Sequence, residues 1–169
     1  MQLKCELEQI LFEAEKIAQL FDIEPFDMFL LGGSACILGD YNDRATKDFD
    51  FVDLNYPAKL GKVFAHLRDF DMLEYESSLL SPDYKSRSVR VHQFKYLNIF
   101  VLSIEDIIVS KIIRLDKKDI EDIDILIKQS DKKLIQQIVA EVLSRDDLYE
   151  SKKKGFIQKL AIFKECYDV

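Results

Sequence analysis

Apolar residues at Leu3, Leu7, Ile10, Leu11, Ala14, Ile17 and Phe21 recur at helical spacing, so the chain is expected to open with an amphipathic helix. The continuous apolar run Met28-Phe29-Leu30-Leu31 then predicts a buried strand that ends at Gly32-Gly33, with a short helix beginning near Ser34. In Asp48-Phe49-Asp50-Phe51 the period changes to two, which predicts a strand over about residues 48–53. Pro57 suits the first turn of a helix running to about Phe70. Val89-Arg90-Val91 and Leu97-Asn98-Ile99-Phe100-Val101 read as further strands, with Ser81-Pro82-Asp83 in a connecting loop. From Ser103 onward the pattern is helical nearly to the end, and Ser103-Ile104-Glu105-Asp106 has a capping serine and an acidic first turn. The expected fold class is therefore α/β (α+β). Residues 1–102 form the α/β core of a single domain, and a helical part over 103–169 packs on it, joined through a segment too apolar to be a flexible linker.

Composition narrows the function classes. Of 169 residues, 48% are hydrophobic and 33% charged, an ordinary globular balance for a chain long enough to bury one core. A net charge of -7 argues against a broad surface for nucleic acid. No apolar stretch approaches the roughly 20 residues of a membrane helix, and the first residues lack a signal peptide's hydrophobic segment, so the expected location is cytoplasmic. Cys5, Cys36 and Cys166 are odd in number and far apart, as reduced thiols would be. His66 and His92 lack metal-ligand spacing with any cysteine, and Lys152-Lys153-Lys154 reads as a solvated helix start. The apolar residues of the carboxy-terminal helices, such as Phe156 and Leu160, suit a core or a dimer surface, which leaves the oligomeric state open.

Two elements carry candidate chemistry. Glycines after a strand allow a sharp turn and close approach of the backbone to a ligand, and Ser34 adds a hydroxyl; the alternative is that Ser34 only caps a helix. Asp48 and Asp50 project from one strand face and Phe49 and Phe51 from the other. Two like charges on one face repel unless a cation lies between them, and carboxylates are the ligands that Mg²⁺ prefers. On the helical half, Lys111 falls among Ile104, Ile107, Ile108 and Leu115 near the centre of an apolar stripe. A lysine there snorkels to solvent or meets an anion, and Asp119 and Asp122 lie along the buried side of the next helix.

Leu31-Gly32-Gly33-Ser34-Ala35 followed by Arg44-x-Thr46-x-Asp48-x-Asp50-Phe51 resembles the signature of the DNA polymerase β-like nucleotidyltransferase superfamily. The resemblance is closest to the bacterial branch that includes abortive-infection toxins and many uncharacterised relatives. Lys111, Arg114, Asp119 and Asp122 resemble that branch's downstream lysine and Arg-x(n)-Asp-x-x-Asp, so the likeness covers about residues 28–127. It implies a mixed β-sheet core of the nucleotidyltransferase type and a nucleoside triphosphate (NTP) as substrate. Gly32, Gly33, Ser34, Arg44 and Thr46 would hold the nucleotide, and Asp48 and Asp50 would hold Mg²⁺ or Mn²⁺. Lys111, Asp119 and Asp122 would complete the catalytic set. Nucleotidyl transfer would go to a hydroxyl of tRNA, a protein or a small molecule, in a toxin–antitoxin or defence setting with a partner protein from the same operon. Many superfamily members place a third carboxylate on a later strand, whereas Lys95–Leu102 offers only Asn98, so Asp119 or Asp122 is expected to replace it. The alternative is a catalytically degenerate relative that acts as a binding or regulatory partner.

Overall fold

The computed structural model describes residues 2–44, 46 and 48–169, and groups the chain into two compact units. Met1–Leu73 and Ser88–Leu102 make the first; Glu74–Arg87 and Ser103–Val169 make the second. The change of unit at residue 102 coincides with the end of the expected α/β half. Residues 74–87, counted with that half from sequence, cluster with the helical unit instead.

In the first unit, α1 (Gln2–Leu20) precedes β1 (Phe26–Leu31), α2 (Gly32–Leu38) and β2 (Phe49–Val52). Helical pieces over residues 58–67 include α3 (Gly61–Phe64) and lead into β3 (Phe70–Leu73). The helix expected to reach Phe70 therefore stops at Leu67: Arg68 turns left-handed at φ 67° and β3 begins two residues later. That strand was not anticipated, because Phe-Asp-Met-Leu is too short to show a period of two. The first stretch of the second unit, Glu74–Arg87, has a 3-10 turn at Tyr75–Ser77 and ends in the short helix α4 (Tyr84–Arg87); β4 (Val89–Val91) and β5 (Leu97–Val101) return to the first and complete a mixed sheet ordered β3-β2-β1-β5-β4. Within it β1 runs parallel to β5 and antiparallel to β2, while β2 runs parallel to β3.

Alternation along β2 buries Phe49 and Phe51 completely and leaves Asp48 exposed and Asp50 partly exposed. Phe51 meets the rings of Phe64 and Phe70 at 5.2 and 5.8 Å, so α3 covers the aromatic side of β2. Helix α1 buries Leu7, Leu11, Ala14 and Ala18 and packs against α2 and α3. Glu15 on α1 accepts backbone N–H bonds from Lys95, Tyr96 and Leu97, which fixes the entry to β5.

The second unit carries α5 (Ile104–Lys111), α6 (Lys117–Leu126), α7 (Lys132–Leu143) and α8 (Glu150–Tyr167). Ser103 caps α5 as expected, accepting from the Asp106 N–H at 3.1 Å. Asp116 and Asp131 cap α6 and α7 in the same way. Segment 74–87 is held by two arginines. Arg145 donates to the carbonyls of Ser78, Leu80 and Tyr75 at 2.7–2.9 Å and lies over the Tyr75 ring. Arg87 makes two 2.9 Å bonds to fully buried Asp106 and a third to Ser81. No helix among the described residues is long and apolar enough to cross a membrane.

Candidate functional site

The glycine turn and the acidic strand meet. Asp50 stands opposite Leu31 in the β1–β2 ladder, one residue before the turn. Gly32 is left-handed at φ 69°, and a Cβ there would collide with the Asp50 carboxylate. A Cβ at Gly33 would lie 2.9 Å from the Thr46 Cβ. Gly32, Gly33, Thr46 and Asp50 thus form one constellation in which both glycines are required by their neighbours. Asp48 lies just before β2, exposed, two residues from Asp50 on the alternating strand. Arg44 is partly buried on the same approach, its N–H bonded to the Asn42 side chain at 3.3 Å.

Ser34 departs from the capping role. Helix α2 begins at Gly32 with Leu31 at its cap position, so Ser34 falls inside the first turn. It is fully buried, and its hydroxyl has no hydrogen-bond partner among the described residues. An unpaired buried hydroxyl is costly to leave so.

The residue that sequence reasoning missed is Asp71. It pairs with Asp50 across the parallel β2–β3 ladder, so both side chains leave the same face of the sheet, and Asp71 is exposed. The four residues Phe70–Leu73 are too few to show a strand period, and the helix expected to run to about Phe70 would end just before Asp71. Asn98, the polar residue of the expected later strand, is bonded to Asp27 at 3.0 Å and to Arg90 at 2.8 Å. Among the described residues, no three of His, Cys, Asp or Glu stand close enough together to hold a metal ion.

Lys111, Asp119 and Asp122 come together within the second unit, whereas the glycine turn and β2 belong to the first. The Lys111 ammonium lies 3.2 Å from Asp119 and 2.9 Å from Asp122, with all three side chains buried. Arg114 adds two bonds to Asp119, at 3.0 and 2.9 Å, from a more exposed position. Burial alone would lower the pKa of Lys111. The hydrogen bonds and charges of Asp122 and Asp119 outweigh it and raise that pKa above 10.5, so the lysine stays charged. Of the two expectations for Lys111, snorkelling or meeting an acid, the second is present, with both Asp119 and Asp122 as partners, and it ties the end of α5 to α6. His66 and His92 are exposed.

No curated protein and no solved structure matches the chain. A family model does, over residues 6–165, nearly the whole length, and its description fits a glycine turn set against an acidic strand. The chain belongs to the family described as nucleotidyltransferase of unknown function, DUF6036.

Proposed function

We propose that this protein is a metal-dependent nucleotidyltransferase that moves a nucleotidyl group from an NTP to a hydroxyl acceptor. The observation that carries the reading is the packing of the Asp50 carboxylate against Gly32, with Thr46 closing on Gly33. The missing Cβ atoms of the two glycines let Asp50 and Thr46 pack directly on the main chain, which holds a carboxylate suited to a hard cation at the turn where a phosphate chain would arrive. Two carboxylates are chemistry that suits Mg²⁺ or Mn²⁺, which Asp48 and Asp50 would hold; Asp71, on the same face of the sheet, does not gather with them into a three-ligand group among the described residues. When bound, the ion supplies positive charge to the triphosphate oxygens and to the acceptor hydroxyl. Gly32 and Gly33 let the phosphates approach the main chain, and Thr46 and Arg44 flank them. The acceptor oxygen bonds to the α-phosphorus, the bond to the bridging oxygen breaks, and pyrophosphate leaves with that electron pair while the hydroxyl proton is lost. The residues' contribution is position and charge rather than a covalent intermediate. Lys111, Asp119 and Asp122 would act on the same reaction by holding the helical unit in its active form.

The acceptor classes are tRNA, a protein or a small molecule, and a defence or toxin–antitoxin setting in the cytoplasm would suit such transfer. The test is incubation with each labelled NTP, Mg²⁺ and total tRNA or cell extract, with Asp48→Asn/Asp50→Asn as control. Label in an acceptor with the wild type alone supports the reading. NTP and Mg²⁺ should also raise Tm, and the double substitution should remove the Mg²⁺-dependent part of that rise. A second reading, a degenerate relative that binds a partner protein, is favoured by the absence of a three-ligand group among the described residues. Absence of both label and Tm shift would select it.

A further inference from the structure

A cleft of about 610 Å³ opens beside the glycine turn in the first unit, and Thr46, which closes on Gly33, forms part of its wall. We infer that this cleft receives the base and ribose of the NTP, so that α1 sets nucleoside recognition. The inference rests on the reading above and extends it to residues on an element outside the signature.

Three observations carry it. The volume exceeds what a phosphate chain fills and lies in the range that encloses a drug-sized ligand. The walls also divide by chemistry. Leu3, partly exposed, with the edges of the buried Leu7 and Ile10 behind it, gives α1 an apolar contact for a base, while Glu6 and Gln9 on the same helix offer an acceptor and an amide for polar edges. Opposite them, Asp69 and Arg68 close the cleft at the start of β3, and a carboxylate such as Asp69 or Glu6 suits ribose hydroxyls. The third observation is charge. Among the described lining residues, Glu6 and Asp69 outweigh Arg68, which disfavours a polyanion against this part of the wall. The triphosphate is thereby kept at the glycine turn and the uncharged nucleoside is directed along α1. The same imbalance makes the cleft a poor seat for an RNA acceptor.

Cys5 supplies the probe. It lines the cleft and is exposed; Cys166 on α8 is the other exposed thiol, and Cys36 is buried. Alkylation of each cysteine in the full chain is followed by mass spectrometry with Mg²⁺ alone, with NTP and with inorganic tripolyphosphate. At ten times its Kd, NTP should slow Cys5 alkylation about tenfold by mass action and leave Cys166 unchanged. Tripolyphosphate should raise Tm through the glycine turn but leave Cys5 unprotected. Glu6→Gln/Gln9→Ala, at two exposed positions, should weaken NTP about tenfold without changing tripolyphosphate affinity. If NTP raises Tm while Cys5 reacts at its free rate, the cleft inference is overturned and the nucleotidyltransferase reading stands. If neither NTP nor tripolyphosphate binds, both fall together.

Discussion

At the scale of single residues, the candidate site depends on what glycine omits. Gly32→Ala would place a methyl group against Asp50 on a backbone already at φ 69°. The left-handed conformation alone costs an alanine about 1–2 kcal/mol, before the carboxylate is displaced. The expected outcome is a lower Tm together with loss of the NTP-dependent shift, read by thermal melts with and without nucleotide. Phe49→Ala tests the opposite face of the same strand. This side chain is fully buried, and its removal should cost ~3–5 kcal/mol in chemical denaturation while sparing the carboxylates. The pairing of these faces was legible because alternation in Asp48-Phe49-Asp50-Phe51 is a local property of a strand. Asp71 was not legible, since its relation to Asp50 arises only when β3 aligns beside β2. The start of α2, expected near Ser34, was misplaced for a similar reason: Gly32, with its positive φ, starts the helix two residues earlier.

At the scale of elements, caps and ionic ties order the helical unit. Ser103 was recognisable as a cap from the serine and acids alone, while Asp116 was hidden in a run rich in both charge signs. The apolar stripe predicted a buried Lys111, and the tie to Asp119 and Asp122 shows what keeps it there. Lys111→Met should cost about 3–5 kcal/mol, because it leaves Asp122 buried without the lysine and Asp119 with only Arg114 among the cations described here. Alkaline titration tests the same tie. The folded state raises the pKa of Lys111 above 10.5, so its contribution is complete below 10.5 and is lost as pH rises through the folded value. Burial pushes Tyr84 up from 10.0 to about 12, which also favours the fold below pH 10.0 and fades above it. The urea midpoint should therefore hold steady to mildly alkaline pH and fall as pH rises beyond 10.0–10.5, with Lys111→Met showing a shallower fall. A midpoint that rises with pH in this window would show that neither group is tied as described.

At the scale of the whole molecule, the helical unit is discontinuous in sequence: the chain passes between units at residues 73–74, 87–88 and 102–103. The change to a helical pattern at Ser103, with its capping serine and acidic first turn, made the last passage readable. The first two were not, because segment 74–87 has no long periodic element and joins the helices through arginines and main-chain carbonyls. Its attachment is specific. Arg145, only 5% exposed, gathers the carbonyls of Tyr75, Ser78 and Leu80, and its remaining edge meets Asp147 at 2.9 Å. Arg87 neutralises Asp106, which has no exposed surface at all. A cut at residue 102, the boundary suggested by sequence, would thus separate Arg145 from the carbonyls of Tyr75, Ser78 and Leu80, and Asp106 from Arg87, while leaving Arg145 with Asp147 and Asp106 with Ser103. Asp106, fully buried, would lose its guanidinium partner, which is costly for a buried charge. The fragment 103–169 is expected not to fold cooperatively, and adding back residues 74–87 as a peptide should restore part of its far-UV circular dichroism and a melting transition. In the full chain, Arg145→Met keeps much of the buried stem but removes the guanidinium donor from the carbonyls of Ser78 and Leu80, and one of two donors from that of Tyr75. Each buried acceptor left unpaired costs about 1–3 kcal/mol, so the variant should unfold at clearly lower urea than the wild type. Fragment 103–169 folding unaided, together with an unchanged midpoint in Arg145→Met, would show that the carbonyl cage is incidental to the helical unit.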